Sequence, residues 1–446
     1  MIVMKFGGTS VESAAAIQRV AGIVRARLHR KPVVVVSAMG KTTNRLLSIA
    51  NHAVNGHRDQ AINEVLALRD FHLRESGMER TVDEHFQELN ELTRGLAILG
   101  ELTPRSIDAI SSFGERLSSL IVTNQFEKLG IKTVHVDSRR IVVTDGRHTQ
   151  AAPLFEATYQ RMAQTIPPLT EKAVVVMGGF IGATEAGVTT TLGRGGSDYT
   201  ASIVGAGIGA EEIQIWTDVD GMLTADPTIL PGGHRVRTCS FDEAAELAYF
   251  GAKVLHPATV LPAVEKNIPV LILNSRRPDA EGTRIVANAV PSTNIAKSIA
   301  CKKNITLVNV HSTRMLMAHG FLRRIFEIFD RFETPVDMIA TSEVSVSLTV
   351  DRSDRLGEIE CELRQFSEVS VEDNQSIICL VGDNIRYTPR VAARVFSALG
   401  DINVRMVSQG ASKLNIGVVV AQDDLRAATE ALHEEFFKDL DPEVFA

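Results

Sequence analysis

The chain has little of the material that binds bases: one tryptophan and four tyrosines in 446 residues. That is too few for a base-stacking platform. A formal net charge of -7 gives no general electrostatic pull toward nucleic acid, so no nucleic-acid partner is expected. Cysteine is equally scarce. Cys239, Cys301, Cys361 and Cys379 show neither CxxC spacing nor a nearby histidine partner. They read as reduced, mostly buried small residues of a cytoplasmic protein, and no protein-held metal is expected. No run approaches the roughly 18 consecutive apolar residues of a membrane span, so no membrane partner is expected. Ile2-Val3-Met4-Lys5-Phe6 reads as a strand, not as the basic flank and apolar core of a signal peptide.

Apolar content of 44% and charged content of 23% are ordinary for a soluble globular protein. The length exceeds one usual core, so two or three domains are expected. One stretch organises the chain: Thr189-Thr190-Thr191-Leu192-Gly193-Arg194-Gly195-Gly196-Ser197-Asp198-Tyr199-Thr200. Its glycines permit close backbone approach, and consecutive N–H groups before a helix form an anion site. Arg194 offers a planar fork for carboxylate or phosphate. A glycine-rich surface turn is the plain alternative.

Read in order, residues 2–6 are a strand that breaks at Gly7-Gly8. Thr9 and Glu12 fit a capping box opening a helix over 14–28, and Val33 to Val36 form a strand covered on both faces. Strand, glycine turn, helix, strand opens an α/β domain. Lys5 ends the first strand, where ligands bind in open sheets; it is either a phosphate-binding point charge or simply an exposed lysine. Gly40-Lys41-Thr42 mimics the end of a P-loop, but the pattern's first glycine would fall on Val35 inside the strand, so that reading is rejected. Ser37, Thr42, Thr43 and Asn44 supply hydroxyl and amide groups there instead. Residues 46–100 read as a helical excursion without chemistry. Glu115 opens the next helix, either as a helix-dipole partner or as a ligand for a substrate ammonium. Residues 134–137 and 141–143 read as strands, and 173–177 as an apolar strand ending in a second glycine turn. A strand at 213–216 leads into two polar turns that suit a nucleotide's base and ribose, or are simply good turn chemistry. A helix at 241–250 and a last strand at 270–273 close the domain, with polar, proline-containing boundary sequence at 276–283 and 291–294.

The remainder is a repeat. Val336-Asp337-Met338-Ile339 and Val404-Arg405-Met406-Val407 begin at 336 and 404, 68 positions apart, and Val346/Leu348 and Leu414/Ile416 keep that offset. Each unit runs strand, helix, strand, strand, which reads as two small α+β modules with strands at 336–339 and 402–407 among them.

Taken together, the chain closely resembles the monofunctional aspartate kinases. The motifs are Lys5-Phe6-Gly7-Gly8-Thr9-Ser10, Phe113-Gly114-Glu115, Thr191-Leu192-Gly193-Arg194-Gly195-Gly196-Ser197-Asp198, Trp216-Thr217-Asp218-Val219-Asp220-Gly221 and Gly251-Ala252-Lys253-Val254-Leu255-His256-Pro257. In the tail, 336–346 and 409–415 resemble that family's paired ACT regulatory modules. The resemblance implies an αβα amino-acid-kinase sandwich with a mainly parallel central sheet over 1–290. A regulatory region over 291–446 would follow, with ferredoxin-like modules at about 304–375 and 376–446 and one first strand drawn from about 297–304. It implies transfer of the γ-phosphoryl of ATP, with Mg²⁺, to the β-carboxylate of L-aspartate, the entry step to lysine, threonine and methionine.

By the same resemblance Lys5 neutralises the transferring phosphoryl, Gly7 and Gly8 donate backbone N–H groups, and Asp198 orients Lys5. Arg194 grips the substrate's α-carboxylate and Glu115 its ammonium, while Ser37, Thr43, Gly195 and Ser197 line the aspartate pocket. Thr217, Asp218 and Lys253 lie along ATP. Leu223 and Thr228 replace a tyrosine and an arginine common in the family, leaving the base to apolar packing. Met315, Gly320, Phe321, Leu322, Asp337, Ser342 and Glu343 match the positions of an allosteric amino acid, most simply lysine. That effector site would form between two chains of a homodimer or tetramer. Other carboxylate kinases of the superfamily, or an inactive amino-acid sensor, are the alternatives.

Overall fold

Valine and isoleucine runs buried on both faces build the first sheet. The computed structural model describes residues 1–251, 257–313, 319–351 and 354–446. Two units emerge, Met1–Met222 with Val254–Asn288 and Leu223–Lys253 with Ala289–Ala446. The strands of the first are β1 (Ile2–Phe6), β2 (Pro32–Val36), β3 (Thr133–Val136), β4 (Val174–Gly178), β5 (Ile181–Ala183), β6 (Thr189–Thr191) and β7 (Glu212–Thr217). β8 (Thr238–Ser240) lies in the second unit, and β9 (Val270–Asn274) and β10 (Thr283–Val286) return to the first. Within that unit the order is β3-β4-β2-β1-β7-β9-β10, parallel except for β10, which runs antiparallel to β9. β5 and β6 form a separate antiparallel ribbon.

Parallel neighbours demand crossovers, and helices supply them. α1 (Ala14–Arg25) follows β1; α2 (Thr42–Val54), α3 (Arg58–Ser76), α4 (Glu79–Leu99), α5 (Pro104–Ser111) and α6 (Phe113–Lys128) separate β2 from β3. α7 (Phe155–Thr170) precedes β4, and α8 (Gly196–Ile208) precedes β7. The register aligns Phe6 with Val36 and Trp216, Val36 with Gly178, and Thr217 with Asn274, so five strands end along one edge. That edge is where ligands bind in open α/β sheets.

Three local expectations differ from the fold. α1 is capped by Ser13, whose hydroxyl accepts from Ala16 N at 3.2 Å, and Thr9 lies instead in a 3₁₀ turn over Gly8–Ser10. Residues 141–143 form no strand: Val143 N bonds the Thr158 hydroxyl, leaving a single bridge from Val143 to Ala183. β9 is not the last strand, because Gly282, at φ 71°, lets the chain turn back as β10 with its backbone against Ile272 O.

In the second unit α9 (Phe241–Tyr249) opens with a capping box between Ser240 and Glu243; α10 (Leu261–Glu265) belongs to the first. The tail then runs β11 (Ser298–His311), α11 (Phe321–Arg331), β12 (Ile339–Thr341), β13 (Ser345–Val350), α12 (Leu356–Leu363), β14 (Glu368–Val381), α13 (Val391–Leu399), β15 (Met406–Gln409), β16 (Asn415–Ala421) and α14 (Leu425–Phe436). The antiparallel sheet reads β12-β13-β11-β14-β16-β15. β11 and β14 pair along their length through a register shift beside Asn304 and Asn374, both left-handed, at φ 58° and 56°. β13 pairs with the second half of β11 and β16 with the second half of β14, so both modules draw on both long strands. Regular pairing of β12 begins only at Ile339, since Met338 N donates to the Thr349 hydroxyl rather than to the ladder. β15 likewise starts at Met406, later than expected.

Residues 223–251 pack with this tail. Ala225 bridges Ile299, Asn415 donates to Glu246 at 2.7 Å, and buried Lys297 pairs with buried Glu243 at 3.0 Å. Among the described residues no helix is long and apolar enough to cross a membrane.

Candidate active site

At the shared edge of the first sheet, Lys5 Nζ meets Asp198 Oδ1 at 2.7 Å, both side chains largely buried. Asp198 sits in the first turn of α8, where the helix dipole favours negative charge, and Gly195 enters that helix left-handed at φ 71°. A Cβ on Gly7 would lie 3.8 Å from Lys5 Nζ, so its absence leaves the ammonium open on that side. Gly7 differs from expectation in one respect. Its N–H donates to Trp216 O at 3.1 Å, extending the parallel ladder, and is spent inside the fold. Gly8 abuts the β2 turn, with Gly40 N donating to Gly8 O at 2.9 Å; a Cβ on Gly8 would stand 2.8 Å from the carbonyls of Ala38 and Gly40.

Glu115 enters from the first turn of α6. Its Oε1 accepts from Ala38 N at 3.1 Å, next to half-buried Ser37, and Oε2 is buried with no hydrogen-bond partner among the described residues. Gly178 lets β4 end against the Glu115 backbone, and Gly179 lets it meet Ser197, whose Cα and Cβ lie 2.7 Å from the position of a Gly179 Cβ. Burial pushes the Glu115 carboxyl up to about 8; the Ala38 N–H, its own backbone N–H and the Lys5 charge pull the other way and lose. The buried, unpartnered Oε2 leaves a place that an ammonium could fill, but the carboxyl has to ionise to hold one.

Thr43 is half-buried in the first turn of α2, and Arg194 is exposed. Thr217 ends β7 beside the first glycine turn; its carbonyl accepts from Ser275 N and Oγ, and exposed Asp218 accepts from its hydroxyl at 3.2 Å. Thr228 spends its hydroxyl and N–H on Asp226 in an exposed turn. Lys253 and Met315 lie outside the described residues. Among the described residues no three His, Cys, Asp or Glu side chains gather as a metal cage.

In the tail Asp337 is committed within its own unit. It accepts from Lys302 Nζ at 2.7 Å and Tyr249 Oη at 3.4 Å, and burial raises its carboxyl above the ordinary value while Lys302 opposes. Ser342 and Glu343 are exposed at the β12–β13 turn, Ser342 N donating to Ser345 O. Asp337 N instead donates to Thr349 O, four residues further along β13. Gly320 caps α11 left-handed at φ 82°, with Phe321 and exposed Leu322 in the first turn.

Asp108 was invisible in the sequence. Wholly buried on α5, it binds Thr149, Thr191 and His148, which are 40 or more positions away. Asn274 and Ser275, tied to Asp220, Ser10 and Thr217, were equally silent.

Residues 1–274 match the Amino acid kinase family and residues 378–436 the ACT domain. The chloroplastic aspartokinase 2 of Arabidopsis thaliana is 40% identical, over 98% of this chain and 84% of its own. Lysine-sensitive aspartokinase 3 of Escherichia coli is 35% identical, over 98% and 99%. The crystal structure of E. coli aspartokinase III with aspartate and ADP, an R-state, matches with a TM-score of 0.85 at 34% identity, covering 98% of this chain and all of that one. The T-state complex of the same enzyme with lysine and aspartate matches at 0.84, with 33% identity over 98% and 99%. The chain belongs to the aspartokinases of the amino acid kinase family.

Proposed function

We propose that the chain transfers the γ-phosphoryl of ATP to the β-carboxylate of L-aspartate, giving 4-phospho-L-aspartate, and that lysine inhibits it through the ACT region. The observation that carries this is the Lys5–Asp198 pair at the strand edge with the buried Glu115 carboxyl, one oxygen unpartnered among the described residues, beside Ala38. The substrate carboxylate is ionised at pH 7, so no general base is required. Its oxygen attacks the γ-phosphorus in line while the bond to the ADP oxygen breaks, and catalysis is positioning plus charge neutralisation. Lys5 supplies that charge and Asp198 holds it in place. Arg194 takes the α-carboxylate; Glu115, ionising as the ligand enters, takes the ammonium, with Ser37, Thr43, Gly195 and Ser197 around them. Gly8, Thr217, Asp218 and Lys253 are assigned to the nucleotide. Mg²⁺ would fit as a hydrated ion carried by the phosphates, since the described residues offer isolated carboxylates and no cage.

On the same reading residues 1–290 are the kinase and 291–446 the regulatory region. Lysine binds between modules of two chains in a homodimer, with Glu343 exposed at the β12–β13 turn. Reduced, mostly buried cysteines suit a cytoplasmic enzyme. The test is acyl-phosphate trapping as hydroxamate with ATP and Mg²⁺, comparing aspartate with glutamate and adding lysine. Equal product from both amino acids defeats the substrate assignment; lysine without effect defeats the regulatory one.

A further inference from the structure

The arginine loop is held from behind by one carboxylate. Asp108 is wholly buried, and both of its oxygens are used. Oδ1 accepts from the Thr191 hydroxyl at 2.5 Å and from Thr149 N at 3.0 Å; Oδ2 accepts from Thr149 N at 3.1 Å and meets His148 Nδ1 at 2.6 Å. Thr191 is the last residue of β6, immediately before Leu192-Gly193-Arg194. Thr149 belongs to the opposing segment, where Ala151 N donates to Thr191 O at 2.9 Å. Its backbone is left-handed at φ 71°. A β-branched residue pays steric strain there and persists only where its surroundings over-determine it. Its carbonyl lies 3.2 Å from the position of a Cβ on Gly193, itself left-handed at φ 76°. Gly193 O then accepts from Gly196 N at 3.0 Å, closing the turn around Arg194. An exposed arginine is aimed chiefly by its backbone, and this backbone is fixed on both sides by Asp108.

We propose that Asp108 is a positioning residue for the amino-acid substrate: it clamps Thr191 and the strained Thr149 so that the Gly193–Gly196 turn presents Arg194 to the α-carboxylate. This rests on the assignment of Arg194 given above. A neutral amide cannot accept from Thr149 N, Thr191 and His148 together, so Asp108→Asn loosens the clamp at constant size. The expected result is a KM for aspartate raised about tenfold, with kcat and the KM for ATP within about threefold, the signature of lost binding without lost chemistry. Thr191→Val should raise the aspartate KM by several-fold, and Thr191→Ser, which keeps the hydroxyl, should restore it. In a double-mutant cycle Asp108→Asn should add little to Arg194→Ala, because both remove one interaction. Full additivity, or equal increases in both KM values, overturns the proposal. If Asp108→Asn does not fold, the Thr191 pair decides: equal KM values in Val and Ser variants overturn it. An Arg194→Ala enzyme with unchanged aspartate KM breaks the assignment of Arg194 itself. A raised value there with unchanged values in Asp108→Asn and Thr191→Val breaks the clamp alone.

Discussion

Glu115 should make substrate binding depend on pH in a range where few carboxyls titrate. Its ordinary value of 4.5 is pushed up to about 8 by burial, so at pH 7 only about one molecule in ten carries the charge that an ammonium needs. Each pH unit below 8 then costs about 1.4 kcal/mol in binding, a factor of about ten. The KM for aspartate, measured by initial rates at saturating ATP, should fall about tenfold from pH 6 to 7 and about fivefold more to pH 8, then level off. Glu115→Gln fixes the neutral form, so its KM should be high and flat over the same range. Stability moves the other way. Because the folded value lies above the unfolded one, the contribution of Glu115 is fully present below about pH 4.5 and is lost as pH rises through 8. The melting temperature without aspartate should therefore decline between pH 5 and 8, and Glu115→Gln should remove part of that decline. A wild-type KM that is constant from pH 6 to 8.5, or an unaltered slope in the glutamine variant, refutes the reasoning.

Lys5→Met should lower kcat by about 10³-fold while circular dichroism shows a retained fold, as expected for a single charge aimed at the transition state. Pairing it with Asp198→Asn should recover stability, because the first change alone leaves a largely buried carboxylate without its cation. Gly179→Ala places a methyl 2.7 Å from Ser197 Cα and Cβ, so denaturant melts should show a loss of about 1–3 kcal/mol together with a raised aspartate KM. Glu343→Ala should relieve lysine inhibition in a dose–response assay and leave kcat without lysine unchanged, since Glu343 is exposed at a turn of the tail.

The strands of the catalytic sheet were legible because burial on both faces writes itself as unbroken runs, as in Val33 to Val36. The chemistry-bearing turns were legible because Gly, Lys, Arg and Asp are adjacent in the chain there. What could not be read was pairing at a distance. Asp108 looks like any polar residue of a short helix until Thr191, 83 positions later, is brought onto it. Caps were ambiguous for a different reason: Thr9 and Ser13 are both good cap residues, and only the 3₁₀ turn over Gly8–Ser10 decides which one is used. The start of β12 was misjudged because a side-chain hydroxyl, Thr349 Oγ1, takes the place of a ladder acceptor.

The bent long strands of the tail carry a consequence for genetics. Ser298 to Lys302 pair with Val381 to Ile377, and residues 305–373 hold everything that belongs to the other module. In connectivity, one module is an insertion inside its sister. Its two ends, near Asn304 and Asn374, emerge about 5 Å apart on adjacent strands. The host's β11-β14-β16-β15 order does not run through the insert, although Lys302 and Tyr249 reach to its Asp337, and a break in either long strand touches both modules at once.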